Sequence, residues 1–277
     1  MRCESDWIDG ANSSPDTGAE LREPGVSFEV SAQAYDRFMG RYSEPLAELF
    51  VDASGAEPGQ RVLDVGCGPG ALTARLVDRL GASCVAAVDP VPSFVDATTA
   101  RCPGALVRRG DVSLLPFDDA SYDLVLAQLV VQFLPDPVAG LREMARVAGP
   151  GGTIGACVWD HAGDSGPVSA FWAAVRALEP DVHGEAGLPG TAKDDLPRLA
   201  EAAGLRVTSA ERLTVRVRHA SFEEWWEPYT LGVGPAGAHV ASCRGDSAER
   251  LREECRRRLP DEPFDVLASA WSILARA

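Results

Sequence analysis

Three glycines separated by single residues follow directly on a short apolar run. Gly66, Gly68 and Gly70 come after residues 62–65, whose Val-Leu-Asp-Val sequence suits a buried parallel strand. Glycine adopts positive φ angles at little cost and lets a ligand approach the backbone more closely than any Cβ would allow. The sequence therefore predicts a strand that ends in a turn able to bind a nucleotide-like cofactor.

Aspartates follow three of the predicted strands. Asp64 precedes the glycine turn, Asp89 follows the apolar run 85–88, and Asp111 follows the run 105–107. The carboxyl ends of parallel strands form the ligand crevice of an open sheet, so these carboxylates are expected to converge on one molecule. The alternative is that each aspartate caps a helix or shapes a turn. Asp64 in particular could fix the glycine turn from beneath.

Two specific functions are compatible with the glycine turn and these aspartates. Gly66, Gly68 and Ala71 also satisfy the dinucleotide-binding pattern G-x-G-x-x-G/A, which with Asp89 on the ribose would indicate an NAD(P)-dependent oxidoreductase. That interpretation leaves the segments at 110–117 and 150–153 unexplained. A further alternative is a regulatory protein that binds the cofactor without turnover.

Five ordered segments resemble the class I S-adenosylmethionine-dependent methyltransferases, including the small-molecule, quinone-biosynthesis-like type. They are VLDVGCGPG at 62–70, AAVDP at 86–90, GDVSLLPF at 110–117, YDLVLAQLVVQFL at 122–134 and LREMARVAGPGGT at 141–153. The resemblance extends from about Tyr35 to about Asp160. It implies S-adenosylmethionine as cofactor, S-adenosylhomocysteine as product, and transfer of a methyl group to a small-molecule acceptor by in-line displacement.

The resemblance also implies a set of cofactor-binding residues. The set is Tyr35, Met39, Arg41, Asp64, Gly66, Cys67, Gly68, Gly70, Asp89, Pro90, Asp111, Val112 and Gln128. Asp64 and the glycine turn would hold the methionine moiety, Asp89 both ribose hydroxyls, and Asp111 with the Val112 amide the adenine. Gln128 would contact cofactor or substrate.

The segment 35–42 resembles the amino-terminal motif of small-molecule methyltransferases in this superfamily. By that resemblance Tyr35, Met39 and Arg41 close over the cofactor, and the Arg41 guanidinium is available to its carboxylate. The alternative is a plain amphipathic helix whose Tyr35, Phe38, Met39 and Tyr42 pack on the sheet.

Residues for the methyl acceptor are expected in two places. Trp159, Asp160 and His161 follow the fifth strand, and Asp160 and His161 are candidate bases by position only. No obligatory acid or base is expected, because alignment and desolvation supply most of the catalysis. An aromatic group supplies the other candidate substrate contacts, Trp225, Trp226 and Tyr229. Its alternative role is core packing.

Composition narrows the class of partner. The chain has 277 residues, and 26 Lys plus Arg against 41 Asp plus Glu give a net charge of -15, which opposes nucleic acid as the main substrate. Seven cysteines without a C-x-x-C pair and four histidines without ligand spacing indicate neither a metal site nor a disulfide framework. No apolar run reaches the roughly 18 residues of a membrane helix, and no signal peptide is recognised. A reduced cytoplasmic protein without a membrane partner is expected.

The alternation of strand and helix predicts an α/β fold with a doubly wound, mostly parallel, Rossmann-like sheet. We expect a mobile tail over residues 1–30 and a cofactor-binding core with amino-terminal helices over 31–217. A helical, aromatic lid insertion is predicted over 218–263, and a last antiparallel strand at the sheet edge over 264–277. The oligomeric state is left open.

Overall fold

Seven strands form one sheet in the computed structural model, which describes residues 32–277. The strands are β1 (Val62–Val65), β2 (Val85–Asp89), β3 (Leu106–Arg109), β4 (Leu124–Gln128), β5 (Thr153–Trp159), β6 (Arg206–His219) and β7 (Phe264–Arg276). Their order in the sheet is β3-β2-β1-β4-β5-β7-β6. The tail predicted for residues 1–30 lies outside the described residues.

The first five strands are parallel, and β7 runs antiparallel to both of its neighbours. The predicted fold class, with its antiparallel last strand, is therefore confirmed. The prediction that β7 lies at the sheet edge is wrong. Strand β6 pairs with β7 from Arg206 opposite Arg276 to His219 opposite Phe264, so β7 lies inside the sheet and β6 is the edge strand.

Alternate residues of the central strands point to opposite faces, and both faces are covered by helices. Leu63 and Val65 of β1 belong to one hydrophobic cluster, and Val62 belongs to another. The first cluster contains apolar residues of α5 (Pro137–Ala148) and α7 (Asp195–Ala202). The second contains those of α2 (Arg41–Ser54) and α3 (Ala71–Leu80). This two-sided burial explains why β1, β2 and β4 are buried throughout and mostly apolar.

Shorter helices complete the amino-terminal part of the chain. Helix α1 (Ala32–Tyr35) leads through a π-helical turn at Asp36–Gly40 into α2. Helix α4 (Pro92–Arg101) follows β2, with Phe94 buried. Helix α2 lies next to α3, which follows the glycine turn, and α1 lies next to α4, which follows β2.

A third hydrophobic cluster lies outside the sheet. Residues 220–263 connect β6 to β7 and contain α8 (Phe222–Trp226), α9 (Gly234–Ser242) and α10 (Ser247–Arg258). They pack with α6 (Ser169–Leu178) and with Phe38. We call Phe38, Phe171, Phe222, Trp225, Trp226 and Tyr229 the aromatic cluster. The division of the chain into core and lid insertion stays a prediction.

Within residues 32–277, no helix combines the length and the apolar character that crossing a bilayer needs.

Candidate active site

The three glycines form a turn held between β1 and β2. All three have positive φ angles, +72° at Gly66, +53° at Gly68 and +89° at Gly70. The amides of Gly66 and Cys67 both donate to the carbonyl of Val88, over 2.8 and 3.0 Å. The predicted strand-to-turn transition is therefore present, and two backbone hydrogen bonds fix it to the neighbouring strand.

The glycines differ in what surrounds them. A Cβ added at Gly66 would lie 2.5 Å from Cγ2 of Val130, and one at Gly70 would lie 3.0 Å from Oγ1 of Thr98. A Cβ at Gly68 would meet nothing within 4 Å. Gly66 and Gly70 are therefore required by packing within the protein, whereas Gly68 borders open space beside the turn.

Asp89 is joined directly to this turn. Its carboxylate accepts a hydrogen bond from the Gly68 amide over 2.9 Å and another from the Val91 amide over 2.9 Å. The residue is only 5% exposed, and burial raises the pKa of its carboxyl while the two amides oppose that rise. An ionised carboxylate has about four acceptor positions, so these bonds leave capacity for two ligand hydroxyls.

Asp64 lies beneath the turn and binds the next helix. It is 1% exposed, and its Oδ2 accepts a hydrogen bond of 2.6 Å from the hydroxyl of Thr73 in α3. Burial raises the pKa of Asp64 to about 7, and the nearby Asp89 adds to this rise. Asp64 therefore fixes β1 to α3, as the alternative interpretation of this residue expected. Its contact with a methionine moiety stays a prediction.

Asp111 lies at the same edge of the sheet as Asp89. The Gly110 amide donates to the backbone carbonyl of Asp89 over 3.1 Å, so the two aspartates come close together although different strands carry them. Asp111 is exposed, and its carboxylate accepts from the Ser113 amide over 2.8 Å. The structure therefore places Asp89 and Asp111 together, and the adenine contacts of Asp111 and Val112 stay predictions.

The amino-terminal segment reaches this site through Tyr35. The Tyr35 ring packs edge-on against Phe94 at a centroid distance of 5.5 Å. Burial raises the pKa of the Tyr35 hydroxyl, and the nearby Asp89 carboxylate raises it further. Both Tyr35 and Met39 also pack against the third hydrophobic cluster. Tyr35 is therefore the residue of this segment that lies beside the glycine turn and Asp89.

Arg41 is engaged by protein groups. Its guanidinium donates to Oε1 of Glu224 over 2.7 Å and lies 2.8 Å from Nδ1 of His219. Binding a cofactor carboxylate would require these contacts to be exchanged. The cofactor role of Arg41 stays a prediction.

Gln128 connects the end of β4 to the start of α2. Its side-chain amide donates to the carbonyl of Ser43 over 3.1 Å. Its Oε1 is buried and has no hydrogen-bond partner among residues 32–277. The next residue, Leu129, has a φ of +63°, a strained conformation for a residue with a branched side chain. Strand β4 therefore ends in a buried, unsatisfied oxygen and a strained backbone.

The remaining cofactor-binding predictions fall around the same elements. Cys67 is buried, and its Sγ lies 3.8 Å from the Thr98 hydroxyl. Pro90 is exposed, and its carbonyl accepts from Nε of Arg109 over 3.3 Å. Their contacts with a cofactor stay predictions.

The first two residues predicted to bind the methyl acceptor after β5, Trp159 and Asp160, are buried within the protein. Trp159 is buried, and its Nε1 has no partner among the described residues. Asp160 accepts from the Gly163 amide over 2.9 Å and from Arg212 over 3.2 Å. These bonds hold the loop after β5, so they favour a structural role for Asp160 over that of a base.

His161 lies beside a buried glutamate that the sequence did not indicate. Its Nε2 is 3.8 Å from Oε1 of Glu185, and Trp172 donates to Oε2 of Glu185 over 2.7 Å. Burial lowers the pKa of His161 to about 4 and raises that of Glu185 to about 7. His161 is therefore neutral near pH 7, and burial makes it a weak base. Its catalytic role stays a prediction.

The aromatic residues proposed to bind substrate pack mainly against one another. Tyr229 stacks on Phe171 at a centroid distance of 4.6 Å and meets Phe38 edge-on at 4.9 Å. Trp225 and Trp226 are buried in the same aromatic cluster. These contacts are those of a core, and binding of substrate by Trp225, Trp226 or Tyr229 stays a prediction.

Comparisons with known proteins agree with this geometry. A family described as "Methyltransferase domain" matches residues 63–156. An uncharacterized methyltransferase of Mycobacterium tuberculosis is 37% identical over 139 residues, which are 50% of this chain and 54% of that protein. Aklanonic acid methyltransferase DauC of Streptomyces sp. (strain C5) is 32% identical over 136 residues, which are 46% of this chain and 61% of that protein.

A solved structure shows the same fold. The geranyl diphosphate C-methyltransferase of Streptomyces coelicolor A3(2), solved with S-adenosyl-L-homocysteine, has a TM-score of 0.51 and 16% identity. The match covers 90% of this chain and 85% of that one. The chain spans little more than half the length of the curated relatives that it matches. Residues 63–156 therefore match the methyltransferase domain family, and the chain shares its fold with a solved methyltransferase.

Proposed function

We propose that this protein transfers a methyl group from S-adenosylmethionine to a small-molecule acceptor. The observation that carries the proposal is the pairing of Gly68 with Asp89. Gly68 borders open space, and its amide binds a buried carboxylate that retains acceptor capacity. The cofactor needs both features, because its ribose hydroxyls require a hydrogen-bond acceptor and its methionine portion must pass close to the protein backbone at the turn.

The residues at this edge of the sheet fit the cofactor. Asp89 would accept from the ribose hydroxyls, and the turn 66–70 would adjoin the methionine portion. Asp111 and the Val112 amide would lie at the adenine. The bonds from the ribose hydroxyls to the Asp89 carboxylate would be charge-assisted hydrogen bonds, which are stronger than neutral ones.

The protein's own part in the reaction is positioning and exclusion of water. When bound, S-adenosylmethionine supplies an electrophilic methyl group that an acceptor atom displaces in line. Residues 220–263 would act as a lid, since they pack through the aromatic cluster against α6 and Phe38. Alignment and desolvation are sufficient for much of the rate, so an obligatory base is not part of the proposal. His161 is neutral near pH 7 but is a weak base, because burial disfavours its protonated form.

A small molecule is the acceptor class that the observations favour. The net charge of -15 opposes binding to nucleic acid. DauC, whose name gives aklanonic acid as its acceptor, is a relative over about half of this chain. The acceptor of the present protein is therefore proposed to be a small organic molecule as well.

Turnover tests the proposal. The protein is incubated with S-adenosylmethionine and a panel of phenols, carboxylic acids and amines, and formation of S-adenosylhomocysteine is followed by mass spectrometry. Acceptor-dependent formation of S-adenosylhomocysteine is expected. Binding of S-adenosylmethionine with no turnover on any panel member would favour the non-catalytic alternative.

A further inference from the structure

A line of four polar side chains connects α2, β6 and α8. Arg41 donates to Glu224 over 2.7 Å and lies 2.8 Å from Nδ1 of His219. Nε2 of His219 lies 2.8 Å from the Tyr42 hydroxyl. His219 is 1% exposed and Tyr42 is 4% exposed, so the last two members are buried.

Arg41 determines which nitrogen of His219 carries a hydrogen. A guanidinium has only donors and keeps its charge in proteins, so Nδ1 of His219 must be the acceptor in this contact. Burial and the adjacent Arg41 lower the pKa of His219 to about 4, so the ring is neutral near pH 7. A neutral imidazole without a hydrogen on Nδ1 carries it on Nε2. The Nε2–H group of His219 therefore donates to the Tyr42 oxygen.

This assignment leaves the hydroxyl hydrogen of Tyr42 without a partner among residues 32–277. The Tyr42 oxygen accepts from His219, so its own hydrogen must point elsewhere. Among residues 32–277, the Tyr42 hydroxyl makes no other hydrogen bond. A buried donor with no acceptor is unfavourable, so another molecule is expected to accept this hydrogen.

The Tyr42 side chain begins beside the carboxyl end of β4. Its neighbour Ser43 accepts the hydrogen bond from Gln128, the last residue of that strand. On the other side, Phe38, four residues before Tyr42, meets the Tyr229 ring edge-on at a centroid distance of 4.9 Å. Tyr42 therefore lies between the end of β4 and the aromatic cluster, where the proposed lid meets the sheet.

A second buried group at the end of β4 lacks a hydrogen-bond partner among the described residues, and it is an acceptor whereas the Tyr42 hydroxyl is a donor. Oε1 of Gln128 is buried without a partner in the described part of the chain, and its bond to Ser43 sets which end of the amide is the oxygen. Tyr42 thus offers a donor and Gln128 an acceptor. Leu129 and Trp159, at the ends of β4 and β5, are buried in the same hydrophobic cluster as Tyr42.

We propose that Tyr42 binds the methyl acceptor by donating its hydroxyl hydrogen to an acceptor oxygen, and that His219 is the positioning residue that directs this hydrogen. The inference rests on the proposed methyl transfer. It deepens that proposal by naming the acceptor class. The acceptor is a small molecule with a carbonyl oxygen for Tyr42 and a hydroxyl group for Gln128.

The tautomer of His219 is tested first. The histidines are labelled with ¹⁵N, and the His219 signals are assigned by their loss in His219→Gln. At pH 7 we expect a neutral ring with an unprotonated Nδ1 and a protonated Nε2. The opposite tautomer, or an imidazolium ring, would overturn the inference.

Acceptor binding is tested with the three hydroxyacetophenone isomers, which vary the spacing between hydroxyl and carbonyl. Titration calorimetry is done with protein saturated with S-adenosylhomocysteine. At least one isomer should bind, and Tyr42→Phe should weaken that binding five- to tenfold while the affinity for S-adenosylmethionine stays within twofold. The control is Tyr122→Phe, at the amino-terminal end of β4, which should leave both affinities unchanged.

Two His219 variants separate positioning from folding. His219→Gln keeps an acceptor for Arg41 and a donor for Tyr42, so it should retain acceptor binding. His219→Leu keeps the Arg41–Glu224 pair but removes the donor, and it should weaken binding about as much as Tyr42→Phe. Binding of no isomer by the wild type, or equal binding by Tyr42→Phe, would overturn this inference. Failure of the proposed function is distinct, since the wild type would then either not bind S-adenosylmethionine or form no S-adenosylhomocysteine with any acceptor.

Discussion

The backbone amide of Gly68 donates a hydrogen bond of 2.9 Å to the carboxylate of Asp89, 21 residues further along the chain. This contact joins the turn after β1 to the end of β2. A change in either residue should therefore affect the same ligand, and the two changes can be compared directly.

Replacing Asp89 by Asn should weaken the binding of S-adenosylmethionine about tenfold to a hundredfold. The variant loses charge-assisted hydrogen bonds to ribose hydroxyls worth roughly 1.5 to 3 kcal/mol. Calorimetric titration measures the affinity, and Asp96→Asn on the exposed side of α4 is the matched control. Unchanged affinity in a folded Asp89→Asn protein would remove Asp89 from the cofactor site.

Gly68→Val should abolish measurable cofactor binding without changing charge, because its side chain would enter the open space beside the turn. The positive φ angle also costs stability, so a control must share that cost. Gly55, after α2, has a φ of +68° and likewise has nothing within 4 Å of an added Cβ. Gly55→Val should lose similar stability and keep its affinity. Equal affinities in the two variants would refute the role of Gly68.

Glu185→Gln should change how stability depends on pH. In the folded protein Glu185 keeps its proton up to about pH 7, whereas its ordinary pKa is 4.5. The folded state binds more protons between these values, so wild-type stability falls as pH rises through this window. The glutamine variant lacks this loss and still accepts from Trp172. Urea unfolding at pH 4.5 and pH 8 should show the variant gaining up to about 3 kcal/mol relative to wild type. A constant difference would contradict the raised pKa.

Trp225→Ala should lower the free energy of unfolding by about 3 to 5 kcal/mol, as expected for removal of a buried aromatic side chain. Leu267→Ala is the control, because Leu267 is 54% exposed in β7 and should cost less than about 1 kcal/mol. Denaturant unfolding followed by circular dichroism gives both values. A loss at Trp225 no larger than that at Leu267 would contradict its place in a packed core.

The features that were predictable from sequence are local. The glycine turn, Asp89 and the strand–helix alternation each depend on residues close together in the chain, since a strand followed by a turn has a short-range pattern. Asp111 was placed beside Asp89 by a topological rule, and the structure agrees.

The features that were missed depend on distant contacts. Arg41 and His219 are 178 residues apart, and nothing in either local sequence indicates that they meet. Glu185 is an isolated acid between small residues, and its environment is set by Trp172 and His161. The inner position of β7 depends on its pairing with β6, which a single strand's pattern does not specify.

The most direct test of the central claim is calorimetric titration of the wild-type protein with S-adenosylmethionine and, separately, with NAD. One molecule of S-adenosylmethionine should bind per chain, with an affinity that Gly68→Val and Asp89→Asn reduce, and NAD should not bind. Binding of NAD at the same site, or no binding of S-adenosylmethionine by folded protein, would contradict the account.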